Sequence, residues 1–327
     1  MKKVNAVLGE VSADRLGTTL MHEHFFISPP GTAKTDAAAM ERDYSELLKE
    51  VGDLRQLGVT TIADANLIDN GRNVELAKKV SERTGVNVIL STGIYYVNEE
   101  ETERVSTPFK SRSQTIDVSQ ELYERFVEEI TVGIGNTGVK AGLIKIKTGK
   151  GQPTRYGGMV VKAAIRAHLE TGVPIITHTE LGMGLEQASH LISEGINPAK
   201  AVVGHMCDNT DILFDVSVLE KGVYLGFDRF GFERVTTDAL KIACLVGLLS
   251  MGFANRILLS QDYAPAWQRS LPFRTGKFAP WVHNRIFKHT LPALKAAGIG
   301  EDKIHTMMVE NPRRLFEGQQ QEEVPAG

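Results

Sequence analysis

Short β-branched runs alternate with longer segments of helical period along most of the chain. The apolar runs at residues 19–27, 59–65, 86–92, 141–147, 174–179, 201–205, 223–228 and 257–262 read as strands. Between them, residues 42–57, 74–84, 121–132, 158–171, 184–194, 212–221 and 238–251 carry apolar positions on one helix face, and a last such stretch covers about 282–297. Gly58, Gly85 and Gly172 stand where a helix should stop and turn into the next strand. Eight strands alternating with eight helices is the arithmetic of a closed parallel (β/α)8 barrel. An open doubly wound sheet alternates in the same way, and the polar residues separate the two. His, Lys and Asp fall at the late ends of the predicted strands. A barrel gathers those ends into one mouth, whereas an open sheet strings them along an edge at ~4.8 Å per strand. No linker, repeat or composition break divides residues 1–327, which read as one domain. Residues 1–17 are expected to form a short hairpin over the barrel floor, and the polar tail 318–327 to fray.

Composition narrows the function classes. Of 327 residues, 42% are hydrophobic and 24% charged, which is ample for a full core and unlike a disordered chain. A net charge of −3 leaves no basic footprint for nucleic acid. Cys207 and Cys244 cannot make a disulfide framework and read as reduced thiols of a cytoplasmic protein. Glu10, Asp14 and Arg15 interrupt any signal-peptide core, and no apolar run approaches the length of a membrane span. The string Gly133-Ile134-Gly135-Asn136-Thr137-Gly138 imitates a dinucleotide fingerprint. It follows a predicted helix and precedes a strand, the reverse of the required context, so no nicotinamide or flavin is inferred.

The candidate chemistry lies at the strand ends. In His22-Glu23-His24, strand alternation puts both imidazoles on one face and Glu23 on the other, so the pair can grip one metal ion. A hydrogen-bonded histidine pair in a polar pocket would have the same sequence. His178 ends the fifth strand, His205 the sixth and Asp262 the eighth. Four strands delivering His or Asp at equivalent depth point to a metal site. The remaining histidines, His168, His190, His283, His289 and His305, fall on helices or near their ends and read as packing or surface residues.

Lys145 lies inside an apolar strand, Ala141-Gly142-Leu143-Ile144-Lys145-Ile146, where an unpaired ammonium would be costly. Burial favours the neutral amine, which can react with carbon dioxide to give a carbamate able to bridge two cations. Lys147 shares that strand face and is the competing candidate, and a lysine paired with Asp64 or Asp262 is the structural alternative.

These segments together resemble the phosphotriesterase family of the amidohydrolase superfamily. His22-Glu23-His24, the 141–145 segment, Thr177-His178-Thr179, Gly204-His205-Met206 and Ser260-Gln261-Asp262 match its metal-site motifs in order, and the likeness extends from about Leu16 to Phe316. The resemblance implies two divalent transition metal ions, zinc foremost, with cobalt, manganese or iron as alternatives. His22, His24 and Asp262 would hold the more buried ion and His178 and His205 the second, with carboxylated Lys145 and a hydroxide shared. Thr92-Gly93-Ile94-Tyr95-Tyr96 and Gly226-Phe227-Asp228-Arg229-Phe230-Gly231 look like the lactonase branch, in which a tyrosine and the arginine contact the lactone. Tyr95 aligns best, with Tyr96 able to share the role. Packing of both tyrosines under a loop, and pairing of Arg229 with Asp228 or Glu233, are the alternatives. The aromatic-rich loop 263–281, with Trp267, Leu271, Phe273, Phe278 and Trp281, could line an acyl pocket or merely cover the barrel.

The expected function is therefore hydrolysis of N-acyl homoserine lactones (a quorum-quenching activity) or of γ- or δ-lactones, with Asp262 as proton acceptor and promiscuous cleavage of organophosphate triesters. A dedicated phosphotriesterase, an amide-cleaving relative and a barrel that binds without catalysis are the alternatives. The resemblance also implies a homodimer.

Overall fold

The chain begins with an antiparallel hairpin, β1 (Lys3–Ala6) and β2 (Gly9–Ser12). This computed structural model describes residues 2–27, 37–95, 108–147, 154–264 and 280–319. Tyr96, the loop residues Trp267, Leu271, Phe273 and Phe278, and tail residues 320–327 lie outside the described residues.

Eight parallel strands follow: β3 (Thr19–Glu23), β4 (Thr61–Asp64), β5 (Asn87–Ile94), β6 (Leu143–Lys147), β7 (Ile175–His178), β8 (Ala201–Val203), β9 (Tyr224–Phe227) and β10 (Ile257–Leu259). They are hydrogen-bonded in sequence order from β3 to β10. The remaining seam is drawn together by the Asp262 N–H donating to the His22 carbonyl at 3.1 Å and the His24 N–H donating to the Tyr263 carbonyl at 3.0 Å. The result is a nearly closed barrel with helices between its strands.

Side-chain alternation explains the two halves of the core. One inward residue per strand, Met21, Ala63, Ile89, Leu143, Ile176, Val202, Tyr224 and Leu258, forms a layer that packs on Val4 and Ala6 of the hairpin and on Leu315 and Phe316. The hairpin does cover the floor: Asn5 Nδ2 donates to the carbonyls of Ile130 (3.1 Å) and Ala141 (2.9 Å). Outward residues such as Ile62, Val88, Ile144 and Leu225 pack in the main apolar core together with helix residues such as Leu54, Val80, Phe126 and Leu245. Each such buried side chain contributes roughly 1.5–3 kcal/mol.

The helices include α1 (Ala37–Gln56), α2 (Val74–Thr84), α3 (Ser119–Thr131), α4 (Arg155–Thr171), α5 (Gly184–Ser193), α6 (Ile212–Leu219) and α7 (Asp238–Ser250), and further helical segments run from Ile286 to Glu317. The glycine stops appear as read: Gly85 and Gly172 cap α2 and α4 in the left-handed region, at φ 69° and 68°. The glycine string 133–138 is the loop between α3 and β6. No helix among the described residues is long and apolar enough to cross a membrane.

Candidate metal centre

In β3 the pairing with β4 shifts by one residue between Leu20 and Glu23. Such a bulge re-aims side chains. Met21 belongs to the floor layer, yet His22 also turns inward, and His24 joins it on the same side. Glu23 points away from them and holds the seam: it accepts from Ser260 Oγ at 2.6 Å and from the N–H groups of Gln261 and Tyr263 at 3.0 Å. Burial pushes its carboxyl up to about 8 despite those donors.

The imidazoles are oriented from outside by acceptors. Asp228, at the end of β9, lies with one oxygen 2.7 Å from His22 Nδ1 and the other 2.9 Å from His205 Nδ1. Asn66 Oδ1 lies 2.8 Å from His24 Nδ1. Protons on those Nδ1 atoms satisfy the acceptors and leave three Nε2 lone pairs facing inward, the state a metal ligand needs. Asp262 Oδ1 sits 3.1 Å from His24 Nε2 and 3.5 Å from His22 Nε2. His178 Nδ1 and His205 Nε2 converge at 2.9 Å, and Lys145 Nζ is 2.8 Å from His22 Nε2. His22, His205 and Asp262 each offer a donor atom, all within 4.8 Å of one another, a group that could hold a metal ion.

The protonation states suit cation binding. Burial lowers His22, holds His178 well below the ordinary histidine range, and takes His205 to about 3, so these rings are neutral near pH 7. Burial works against ionising Asp262, but His205, His22, His24 and Arg229 outweigh it and hold the carboxyl well below its usual range. Burial brings Lys145 down to about 7, so much of it is neutral amine at neutral pH. Lys145 Nζ donates to the Thr177 carbonyl at 3.3 Å and sits among the candidate ligands. Lys147, one pleat nearer the mouth, lies over the Tyr95 ring at 4.7 Å. Asp64 instead accepts from the N–H groups of Asn66 and Phe25.

Arg229 pairs with neither Asp228 nor Glu233. Its Nε donates to Asp262 Oδ2 at 2.9 Å and its guanidinium to Asp208 Oδ2 at 2.8 Å. The Tyr95 ring stands edge-on to His178, with centroids 5.3 Å apart, and its N–H donates to Asp69. Six of the residues singled out from sequence, His22, His24, Lys145, His178, His205 and Asp262, thus meet at one mouth, with Tyr95 and Arg229 at its rim. Sequence reasoning missed Asp208 and Asn66, and saw Asp228 only as a neighbour of Arg229. The available signal for Asp228 was its place at a strand end, the same rule that found Asp262.

Comparison with known proteins identifies the family and the fold. Residues 2–316 match the sequence profile of the Phosphotriesterase family. A "Phosphotriesterase homology protein" of Mycobacterium tuberculosis is 32% identical over 330 residues, covering 98% of this chain and 99% of the relative. An aryldialkylphosphatase of Saccharolobus solfataricus is 32% identical over 94% of this chain and 96% of its own. The crystal structure of a mutant PTE-like lactonase from Deinococcus radiodurans superposes with a TM-score of 0.89 at 37% identity, covering 96% of this chain and 99% of that one.

Proposed function

The chain belongs to the phosphotriesterase family and is a metal-dependent hydrolase, and from that premise we propose that it opens lactones, cleaving organophosphate triesters more slowly at the same centre. The observation that carries the reading is Arg229, a guanidinium fixed 2.9 Å from the carboxylate of Asp262. A fixed cationic donor beside a proton acceptor suits a flat, polar ring ester and houses the apolar arms of a triester poorly.

The donor set fits two divalent transition metals, zinc first, with cobalt, manganese or iron equally compatible with imidazole and carboxylate. His22, His24 and Asp262 would hold one ion, His178 and His205 the other, and Lys145, carboxylated, would be shared. When bound, such ions make a water acidic enough to supply a nucleophile near neutral pH and polarise the carbonyl under attack. The chain's own residues do the rest. Ionised Asp262 accepts the proton released on attack and passes it to the leaving alkoxide, which is general acid–base work. Arg229 and Tyr95, whose ring stands edge-on to His178, orient the ring ester. N-acyl homoserine lactones and simple γ- or δ-lactones are the substrates to try first. The relative named as an aryldialkylphosphatase supports a dedicated phosphotriesterase as the second reading.

Rates on both classes separate the readings. The metal-loaded enzyme should show kcat/KM for its best lactone at least ~10²-fold above that for an aryl dialkyl phosphate, about 2.7 kcal/mol of discrimination. Arg229→Ala should erode that ratio. Equal rates, or a proportional loss of both, would favour the phosphotriesterase.

A further inference from the structure

We propose that Lys241 and Asp238, on the first turn of α7, are positioning residues that hold Arg229 in its working orientation; this rests on the reading of Arg229 as the donor that orients substrate. Lys241 is wholly buried, with 0% of its surface exposed. Its Nζ donates to the backbone carbonyl of Arg229 and, at 2.7 Å, to that of Phe232. Asp238, one helical turn away, accepts the Gly231 N–H at 2.8 and 3.0 Å through its two oxygens, and Arg285 Nε donates to the same carboxylate at 2.8 Å. The turn 229–232 is thus held at two carbonyls by an ammonium and at the amide between them by a carboxylate.

Two further observations give this grip its purpose. Lys241 Nζ lies 3.8 Å from Asp208, the carboxylate that holds the Arg229 guanidinium, so one buried cation faces both the backbone and the counter-ion of Arg229. Gly231, at φ 87°, packs where a Cβ would come within 2.6 Å of the Pro280 carbonyl, which leaves the turn no room to shift outward. Packing alone would be served by an apolar side chain, since an ammonium is costly to take out of water. The charge is used to fix a loop whose misplacement by ~1 Å can cost ~10²-fold in rate.

The test is a double-mutant cycle of Lys241→Gln with Arg229→Ala, read as kcat/KM on a γ-lactone with metal content measured alongside. Alone, Lys241→Gln should lower kcat/KM by roughly 10-fold or more, mostly through KM, at unchanged metal content, and Lys241→Arg should restore part of it. In the Arg229→Ala background the same change should cost less than about 2-fold, because the group it positions is gone. Effects that multiply independently would overturn the proposal. If no lactone is turned over, the lactonase reading falls, and the same cycle is read on an aryl dialkyl phosphate. A crystal structure of Lys241→Gln supplies a readout without activity: Arg229 Nε should leave Asp262, and an unmoved Arg229 would overturn the proposal. Should Lys241→Gln not fold, Asp238→Asn carries the same cycle and the same structural comparison.

Discussion

His205 and Asp262, at φ 62° and 52°, are the two non-glycine residues in the left-handed region among the described residues, and their side chains approach to 4.0 Å in one cluster. A backbone of this kind costs on the order of 1–3 kcal/mol and persists only where its surroundings insist on it. Here they do: the His205 N–H is tied to Asp228 Oδ1 at 2.9 Å, and the Asp262 N–H to the His22 carbonyl at 3.1 Å. His205 lies two residues beyond the end of β8 and Asp262 three beyond the end of β10, and the side chains of both join the cluster at the mouth. The strain lies where the chemistry is aimed.

Replacing Asp262 with Asn separates the backbone from the chemistry. Asparagine adopts the left-handed region readily, so the backbone turn at 262 should be retained in the variant. An amide cannot take up the proton of an attacking water, so kcat should fall by roughly 10²–10⁴. Normal turnover in an Asn variant with full metal content would reduce Asp262 to a structural ligand.

Asp228 should control metal affinity without touching the metal. Burial pushes its carboxyl up, yet His205 and His22 outweigh burial and hold it far below the ordinary carboxylate range. In Asp228→Asn one acceptor oxygen becomes an NH2 group facing an imidazole N–H. One ring must then move its proton to Nε2, the nitrogen turned inward. Metal affinity should drop by about 10–100-fold, as for other partners behind a metal's histidine ligands. Chelator competition measures it, and an unchanged affinity would remove Asp228 from the centre.

What was legible in the chain depended on distance. The rule that a barrel gathers its strand ends located His22, His178, His205, Asp262 and Lys145 from local pattern alone, because each follows or ends its own apolar run. Asp228 was illegible in its role because its partners lie 206 and 23 residues away, brought together by barrel curvature. Arg229 was offered its sequence neighbours as partners, whereas the structure supplies Asp208 from the short helical turn Met206–Asp208 that follows the preceding strand. Element ends moved for a different reason. The predicted strand 19–27 stops at Glu23, where the chain leaves the ladder to deliver His24. The helix expected from 42 begins at Ala37, since Ala37, Ala38 and Ala39 favour a helix without marking a face.

Lys145 should make metal uptake depend on carbon dioxide. With its ammonium lowered to about 7 by burial, neutral amine is plentiful at pH 7–8, and only that form adds carbon dioxide. Reconstitution of the metal-stripped enzyme should therefore speed up when bicarbonate is supplied, and Lys145→Ala should bind metal poorly under either condition. Short carboxylic acids should restore part of the variant's activity by filling the vacated bridge. An active, fully metallated enzyme whose mass and density show an unmodified Lys145 would exclude the carbamate, and a carbamate on Lys147 would reassign it.

Asp215 sets a pH dependence of stability that is independent of the metal centre. It is wholly buried on α6, and Cys244 Sγ of α7 donates to its Oδ2 at 3.4 Å. Burial raises this carboxyl from 3.8 to about 7, against the weaker opposing effect of the Cys244 contact. The folded protein therefore keeps Asp215 protonated up to about pH 7, while the unfolded chain ionises near 4. Between those values the unfolded state binds fewer protons, so this group's contribution is complete below about pH 4, falls as pH rises, and levels off above about 7. At about 1.4 kcal/mol per pKa unit, a rise of about three units makes the loss on the order of 4 kcal/mol. Asp215→Asn cannot ionise, so its stability relative to the native protein should rise steadily from pH 4 to pH 7 and then stay constant. Denaturant melts of both proteins across that range give the difference directly, with the titrations of all other groups cancelling. A difference flat from pH 4 to 8 would mean that Asp215 is ionised in the folded barrel despite its burial.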